Sequence, residues 1–357
     1  MEPLLIIAIN PGSTSTKIAV YDHEKPVFEN NIKHSTKELQ PFQKITDQFE
    51  FRKKVIHQEL QKESIDFTYV QAVVGRGGMV RPIESGVYEV NDAMIKDLAD
   101  SPVGEHASNL GGLIAHDLAK ECPNAKAYIA NPVVVDELDE LARISGHPKF
   151  PRISIFHALN QKATARKHAR SIDKKYEDIN LIVVHLGGGI SVGAHKKGRV
   201  VDVNHAIGGE GPFSPERAGT LPVIEIVKAC FSGEYSLEEF KKMIIGQGGL
   251  AAYLGTNNAM EVEERVKKGD RKAILIYEAM AYQVSKIIGE MFTVLKGEVD
   301  NILITGGIAH DQWFTGKIEE RVHMLAPCVI YPGENEMEAL AANGLLVINE
   351  EVEVKKY

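Results

Sequence analysis

A strand–turn–strand unit that occurs twice, half a chain apart, constrains the fold more than any other feature of this sequence. Near the start, Leu4-Leu5-Ile6-Ile7-Ala8-Ile9 runs into Asn10-Pro11-Gly12-Ser13-Thr14-Ser15-Thr16-Lys17 and then Ile18-Ala19-Val20-Tyr21. Near the middle, Leu181-Ile182-Val183-Val184-His185-Leu186 runs into Gly187-Gly188-Gly189-Ile190-Ser191 and then Val192-Gly193-Ala194-His195. Short apolar runs closed by turn residues read as buried strands. Gly12 and Gly188 lie 176 residues apart in a chain of 357, so the unit recurs at half the length. A duplicated domain accounts for that spacing.

Helical patterns fill the space between these units. Apolar residues at Ile45, Phe49, Val55, Ile56 and Leu60 give Ile45 to Lys62 an amphipathic face. Helices are also expected over 107–119, 160–170, 221–231, 237–245 and 273–295, the last one in the core. A strand over 300–305 ends in Gly306-Gly307, a helix starts near Asp311, a short strand covers 329–331, and a helix covers 336–346. Strands alternating with helices indicate an α/β fold. The expected division is 1–175 and 176–357, the final helix packing back on the first domain, with a cleft between the two.

Composition removes several functions. The net charge of −8 argues against a nucleic-acid partner, which calls for a basic excess. The opening apolar run is too short to span a bilayer and lacks the basic flank of a signal peptide, so the expectation is a cytoplasmic protein without a membrane partner. Cys122, Cys230 and Cys328 have no zinc-like or CxxC spacing and read as buried thiols.

The glycine turns carry the chemistry. In the first, Gly12, Ser13, Thr14 and Ser15 offer backbone N–H groups and hydroxyls to an anion, with Lys17 adding charge. The element after it is a strand, so this is not a Walker-type loop. The second turn, Gly187, Gly188 and Gly189, spends backbone entropy on three consecutive glycines, which close approach of a ligand would justify. Thr305-Gly306-Gly307-Ile308-Ala309 is a third glycine turn after a strand.

Taken together these turns resemble the actin, sugar kinase and heat-shock chaperone superfamily. More narrowly, the chain resembles the acetate kinase family and, within it, the butyrate kinases. The matching segments are Ile7 to Lys17, Val74-Gly75-Arg76-Gly77-Gly78, Glu105 to Gly112, Asn131 to Glu137, Phe156-His157-Ala158-Leu159-Asn160-Gln161-Lys162, His185 to Ser191, Gly211 to Arg217, and Thr305 to Ala309. The resemblance implies two duplicated α/β domains of the actin-like ATPase, or ribonuclease H-like, type. It implies reversible transfer of the ATP γ-phosphoryl group to a short-chain carboxylate, giving an acyl phosphate. A carboxylate is already ionised at neutral pH and needs no general base. It needs in-line positioning and relief of anion repulsion.

By the same resemblance Arg76 and Arg217 hold the carboxylate and the transferring phosphoryl, a task suited to a planar guanidinium. His157 donates to a phosphoryl oxygen, His106 positions the substrate, and His185 supports the phosphate turn. Thr256, Asn257, Gly306, Gly307 and Ile308 frame adenosine. Mg2+ rides on the nucleotide with help from Asn10 and Glu336, Glu334 and Glu338 being close rivals. ATP or ADP, a small carboxylate or acyl phosphate, and a second copy in a homodimer are the expected partners. Asn131 departs from the family pattern, which has an aspartate there with a part in catalysis. That departure keeps open a weakly catalytic nucleotide-binding sensor; a hydroxyl kinase of the same superfamily would need the missing aspartate as base.

Overall fold

The apolar runs become the central strands of two sheets. The structure is a computed structural model that describes residues 3–102 and 104–357. Its strands are Leu5–Pro11 (β1), Ser15–Asp22 (β2), Lys25–Lys33 (β3), Val70–Arg76 (β4), Val87–Glu89 (β5), Lys126–Ala130 (β6), Asn180–Leu186 (β7), Ile190–Lys196 (β8), Arg199–Val203 (β9), Asn301–Gly306 (β10), Cys328–Pro332 (β11) and Val354–Lys355 (β12). Among the described residues they form one seven-stranded sheet, β12-β5-β6-β4-β1-β2-β3, and one five-stranded sheet, β11-β10-β7-β8-β9.

The recurrence seen in the sequence is a recurrence of topology. In the first sheet β1 pairs antiparallel with β2, β2 antiparallel with β3, β1 parallel with β4 and β4 parallel with β6. In the second sheet β7, β8, β9, β10 and β11 repeat that pattern in the same order. β1 and β7 are buried at every position. A strand flanked on both faces has no solvent side to alternate with, so it reads as a continuous apolar run. In β7, Ile182, Val184 and Leu186 face a core that includes Tyr277, Met280, Val284 and Ile288 of helix Arg271–Val294. Leu181 and Val183 face Ala165 and Ala169 of helix Ala158–Ser171.

The chain divides into Met1–Val135 with Asn335–Tyr357, and Asp136–Glu334. Residues 136–175, which the sequence grouped with the first half, pack in the second unit, because helix Ala158–Ser171 lies on β7 and β10. Helix Glu336–Ile348 lies on β1 and β4 of the first unit, with Gly344 against Val74 and Ile6. Both hairpins are also longer than expected. Asn10 and Pro11 pair with Lys17 and Thr16 in the ladder, leaving four residues, 12–15, beyond the last pair of the first hairpin and three, 187–189, in the second. The cysteines are all free, and Cys230 is exposed rather than buried. Among the described residues no helix is long and apolar enough to cross a membrane.

One glycine contact sets how closely helix and sheet approach in the first unit. A Cβ on Gly75 would lie 2.1 Å from the carbonyl oxygen of Gly111, and one on Gly111 would lie 2.3 Å from that of Arg76. The helix Asn109–Ala119 therefore rests on β4 backbone to backbone. Gly75→Ala should destabilise the protein by about 2 kcal/mol or more, as overpacking against backbone does. Gly316→Ala, in open space on helix Gln312–Val322, should add about 0.5–1 kcal/mol. Urea midpoints check both, and equal midpoints for the two variants would overturn the contact.

Candidate active site

The first unit gathers polar groups where β1, β4 and β6 end. Asn10, on β1, is buried and donates from Nδ2 to Glu336 Oε2 at 2.5 Å. Arg76 closes β4 rather than sitting in a loop; its Nη1 lies 2.7 Å from Glu336 Oε1 and 3.4 Å from Asn10 Oδ1. Glu336 opens its helix, where the first-turn N–H groups favour a carboxylate. Of the three rival glutamates, then, Glu336 joins Asn10 and Arg76. Glu334 is in the other unit, and Glu338 is exposed.

Asn131 follows β6 with φ of 41°, a backbone conformation that favours asparagine, aspartate or glycine. Its N–H and its Oδ1 are both committed to Gly86, at 3.1 and 2.9 Å, while its buried Nδ2 has no hydrogen-bond partner among the described residues. The departure noted in the sequence is thus a buried loop anchor with one idle donor. His106 is exposed just before helix Asn109–Ala119, and its Nδ1 accepts from the Ser108 N–H at 3.2 Å.

Beneath the first turn lies a residue that the sequence reading passed over. Arg52, fully buried, donates to the carbonyl oxygens of Ser13 and Ser15, to Thr16 Oγ1 and to Gln48 Oε1, at 2.7–3.2 Å. It has no carboxylate partner among the described residues, and burial pushes its guanidinium down to about 10. By turning those carbonyls inward, Arg52 shapes the turn while adding an uncompensated charge below it. A signal existed: Arg52 stands between Phe49 and Ile56 on the apolar stripe of its helix, where a solvated arginine has no place.

In the second unit the triple-glycine turn is packed by protein on two of its three residues. A Cβ on Gly187 would meet the His185 ring at 2.9 Å, and one on Gly189 would meet Arg217 Nη1 at 1.8 Å, whereas Gly188 has only Glu216 Oε1 at 3.9 Å. Close approach of a ligand is therefore left to Gly188. Arg217 is anchored through Nη1 to the Ala206 carbonyl at 2.8 Å, its Nε is buried without a hydrogen-bond partner among the described residues, and burial lowers its pKa. Ser214 Oγ holds the Gly188 carbonyl at 2.7 Å. Buried His185 stacks on His157 with centroids 3.8 Å apart and planes at 14°.

The remaining candidates divide. Asn257 donates to Glu216 Oε2 at 3.3 Å, and Thr256 donates to Glu261 Oε2 at 2.8 Å. Gly307 is open, but the Ile308 side chain is core, leaving only its backbone for a ligand. Lys17 makes no ion pair among the described residues. Asp136 and Asp139 pair with Arg143 and Arg199 outside these clusters. No group of three or more His, Cys, Asp or Glu among the described residues could cage a metal ion.

Residues 152–325, which include His157, His185, the glycine turn and Arg217, match the family model described as the Acetokinase family. The fold resembles acetate kinase from Porphyromonas gingivalis at 17% identity, covering 96% of this chain and 99% of that one with a TM-score of 0.75. Acetate kinase from Entamoeba histolytica follows at 16%, 98%, 99% and 0.73. A propionate kinase from Francisella tularensis gives 17%, 95%, 98% and 0.71. The fold is accordingly the acetate kinase fold, two α/β units of the actin-like ATPase type with mixed sheets.

Two outcomes follow from the electrostatics. Arg52→Leu strands the carbonyls of Ser13 and Ser15 without their donor and should cost about 3 kcal/mol in urea unfolding; a cost below about 1 kcal/mol would overturn the support role. Burial lowers the pKa of His34, His195 and His205. The unfolded chain then takes up protons first as pH falls through about 6.5, so stability is full above that pH and is lost below it. Unfolding midpoints should drop between pH 7.5 and 5.5; a flat profile would contradict the burial.

Proposed function

We propose that this chain is a carboxylate kinase of the acetate kinase family, phosphorylating butyrate or a branched-chain analogue with ATP, reversibly. The observation that carries the reading is Arg217, a guanidinium that makes no ion pair among the described residues, seated on Gly189 within the acetokinase-matching stretch. An arginine in that state is suited to an incoming phosphoryl group. The 17% identity to structures titled acetate and propionate kinase supports the fold and leaves chain length to this proposal.

In this reading a carboxylate oxygen attacks the γ-phosphorus, the bond to the β–γ bridging oxygen breaks, and ADP departs with that electron pair. No proton moves, because the acid is ionised before it binds. Arg217 and His157 stabilise charge on the transferring phosphoryl oxygens. Arg76 and His106 orient the carboxylate. The turns at 12–15 and 187–189, with Lys17 and His185, take the nucleotide phosphates, and Thr256, Asn257, Gly306, Gly307 and the Ile308 backbone take adenosine.

Glu336 and Asn10 would hold Mg2+ carried mainly by phosphates through a carboxylate and a carboxamide oxygen, once Glu336 exchanges its contacts with Arg76 and the Asn10 amide for the ion. Bound there, the ion would neutralise phosphate charge. The homodimer belongs to the same proposal. Helices Val223–Cys230 and Leu237–Ile244 bury no residue, and Val223, Ile224, Leu237 and Phe231, just after the first helix, are exposed, which favours this surface as the contact.

A nucleotide-binding sensor is the second reading, favoured by the neutral side chain of Asn131 and its commitment to Gly86. A hydroxamate-coupled assay with ATP, Mg2+ and acids from acetate to valerate separates the two. The wild type should form product, peaking at four or five carbons, and Asn131→Asp should turn over faster. Arg217→Ala should lose on the order of 100-fold or more in kcat. ATP binding with no product from either the wild type or Asn131→Asp would sink the kinase and leave the sensor.

A further inference from the structure

The segment Asn160-Gln161-Lys162 places three consecutive polar side chains in the interior of the second unit. Lys162 is accounted for by Glu137 Oε2 at 2.8 Å and the Gly198 carbonyl at 3.0 Å. Gln161 and Asn160 instead point the chemistry of two histidines.

A backbone carbonyl can only accept, and this fixes the direction of every bond that follows. Gln161 Nε2 lies 3.1 Å from the Ser191 carbonyl and 2.8 Å from Ser191 Oγ, so both amide hydrogens are spent on Ser191. Turned over, the amide would set oxygen against oxygen. Gln161 Oε1 therefore faces His195 Nε2, 2.9 Å away, which must carry a hydrogen. His195 is fully buried, and burial with nearby Lys162 keeps it neutral. Its Nδ1 is then bare and accepts from Tyr176 Oη at 2.6 Å.

At the other end, Ser191 Oγ has accepted from Gln161. It also accepts from the His157 backbone N–H at 3.5 Å, which fills its second lone pair, so its single hydrogen goes to His157 Nδ1 at 2.8 Å. His157 thus holds its own proton on Nε2. The neighbouring ring is set the opposite way. Asn160 Nδ2 donates to the Glu334 carbonyl at 2.8 Å, so Asn160 Oδ1 must accept from His185 Nδ1, also at 2.8 Å.

We propose that Gln161, backed by His195 and Tyr176 and acting through Ser191, is a positioning residue that fixes His157 as the Nε2–H tautomer, while Asn160 fixes the stacked His185 with its hydrogen on Nδ1. The stacked pair then presents the His157 Nε2–H as a donor, beside His185 Nε2, which lies 3.9 Å from Glu334 Oε1. The catalytic meaning rests on the proposed kinase reading, in which His157 donates to a phosphoryl oxygen; the tautomers themselves do not.

Long-range proton–nitrogen correlation spectra of the 15N-histidine-labelled full chain read both rings directly. In the wild type at pH 7.5, His157 should show a bare Nδ1 and a protonated Nε2, and a protonated Nδ1 on His157 would overturn the inference without any variant. Gln161→Met and Ser191→Ala should each give a mixture of His157 tautomers, with kcat down on the order of 10–100-fold and KM for ATP nearly unchanged. Asn160→Ala should disturb His185 alone. A lower melting temperature in Gln161→Met with the His157 tautomer unmoved would reduce Gln161 to a structural role and refute its assignment. Correct tautomers in a wild type that forms no acyl phosphate would uphold the positioning and defeat the kinase reading instead.

Discussion

Two strands with no solvent face, β1 and β7, decide where polar chemistry can occur in this protein. Along their length a polar side chain would be buried without water, at a cost of several kcal/mol unless fully partnered. Near their carboxyl ends the side chains change character: Asn10 in β1, His185 in β7. Their parallel neighbours behave alike, β4 ending in Arg76, β6 running into Asn131 and β10 ending in Gly306. Candidate residues far apart in sequence share this one location type because parallel strands end together on the same edge of a sheet.

The cations of the two units divide by how their charge is met. Arg76, Arg152 and Lys162 each face a carboxylate. Arg52 and Arg217 make no ion pair among the described residues, and burial lowers the pKa of both. Holding an unmatched guanidinium in a low-dielectric setting is unfavourable until an anion arrives, and the same setting then strengthens the attraction. Carbonyl oxygens make the interim tolerable: those of Ser13 and Ser15 for Arg52, that of Ala206 for Arg217. Glycine has an unexpected part in this, since Gly189 makes room for Arg217 itself.

Much of the fold was legible because the signals are local. The apolar runs at β1 and β7, the turn residues after them and the amphipathic helices announce themselves within a few residues. β3 was missed because an edge strand with exposed alternate positions, LysProValPheGluAsnAsnIleLys, lacks a continuous apolar run. The unit boundary was misplaced because helix Ala158–Ser171 carries no mark of which sheet it will cover. At the site, Asn10, Arg76 and Glu336 were each named from motifs, but that they share one ion-pair cluster across 326 residues depends on tertiary packing. Gln161 and Asn160 were silent as function because a polar residue on a helix ordinarily reads as a solvated face, whereas Arg52 was marked by its place on an apolar stripe. Asn131 was read as chemistry alone, whereas its left-handed backbone gives it a conformational reason as well.

The placement of the two closing helices ties the two repeats together. The helix that follows β6 covers the second sheet, and the helix that follows β11 covers the first. Each repeat therefore carries the lid of the other. A gene split at its midpoint would yield one fragment with an orphan amphipathic helix and an uncovered β1–β4 face, and another missing the helix on β7 and β10. With the helices exchanged in this way, neither repeat can be removed without uncovering a sheet face of the other.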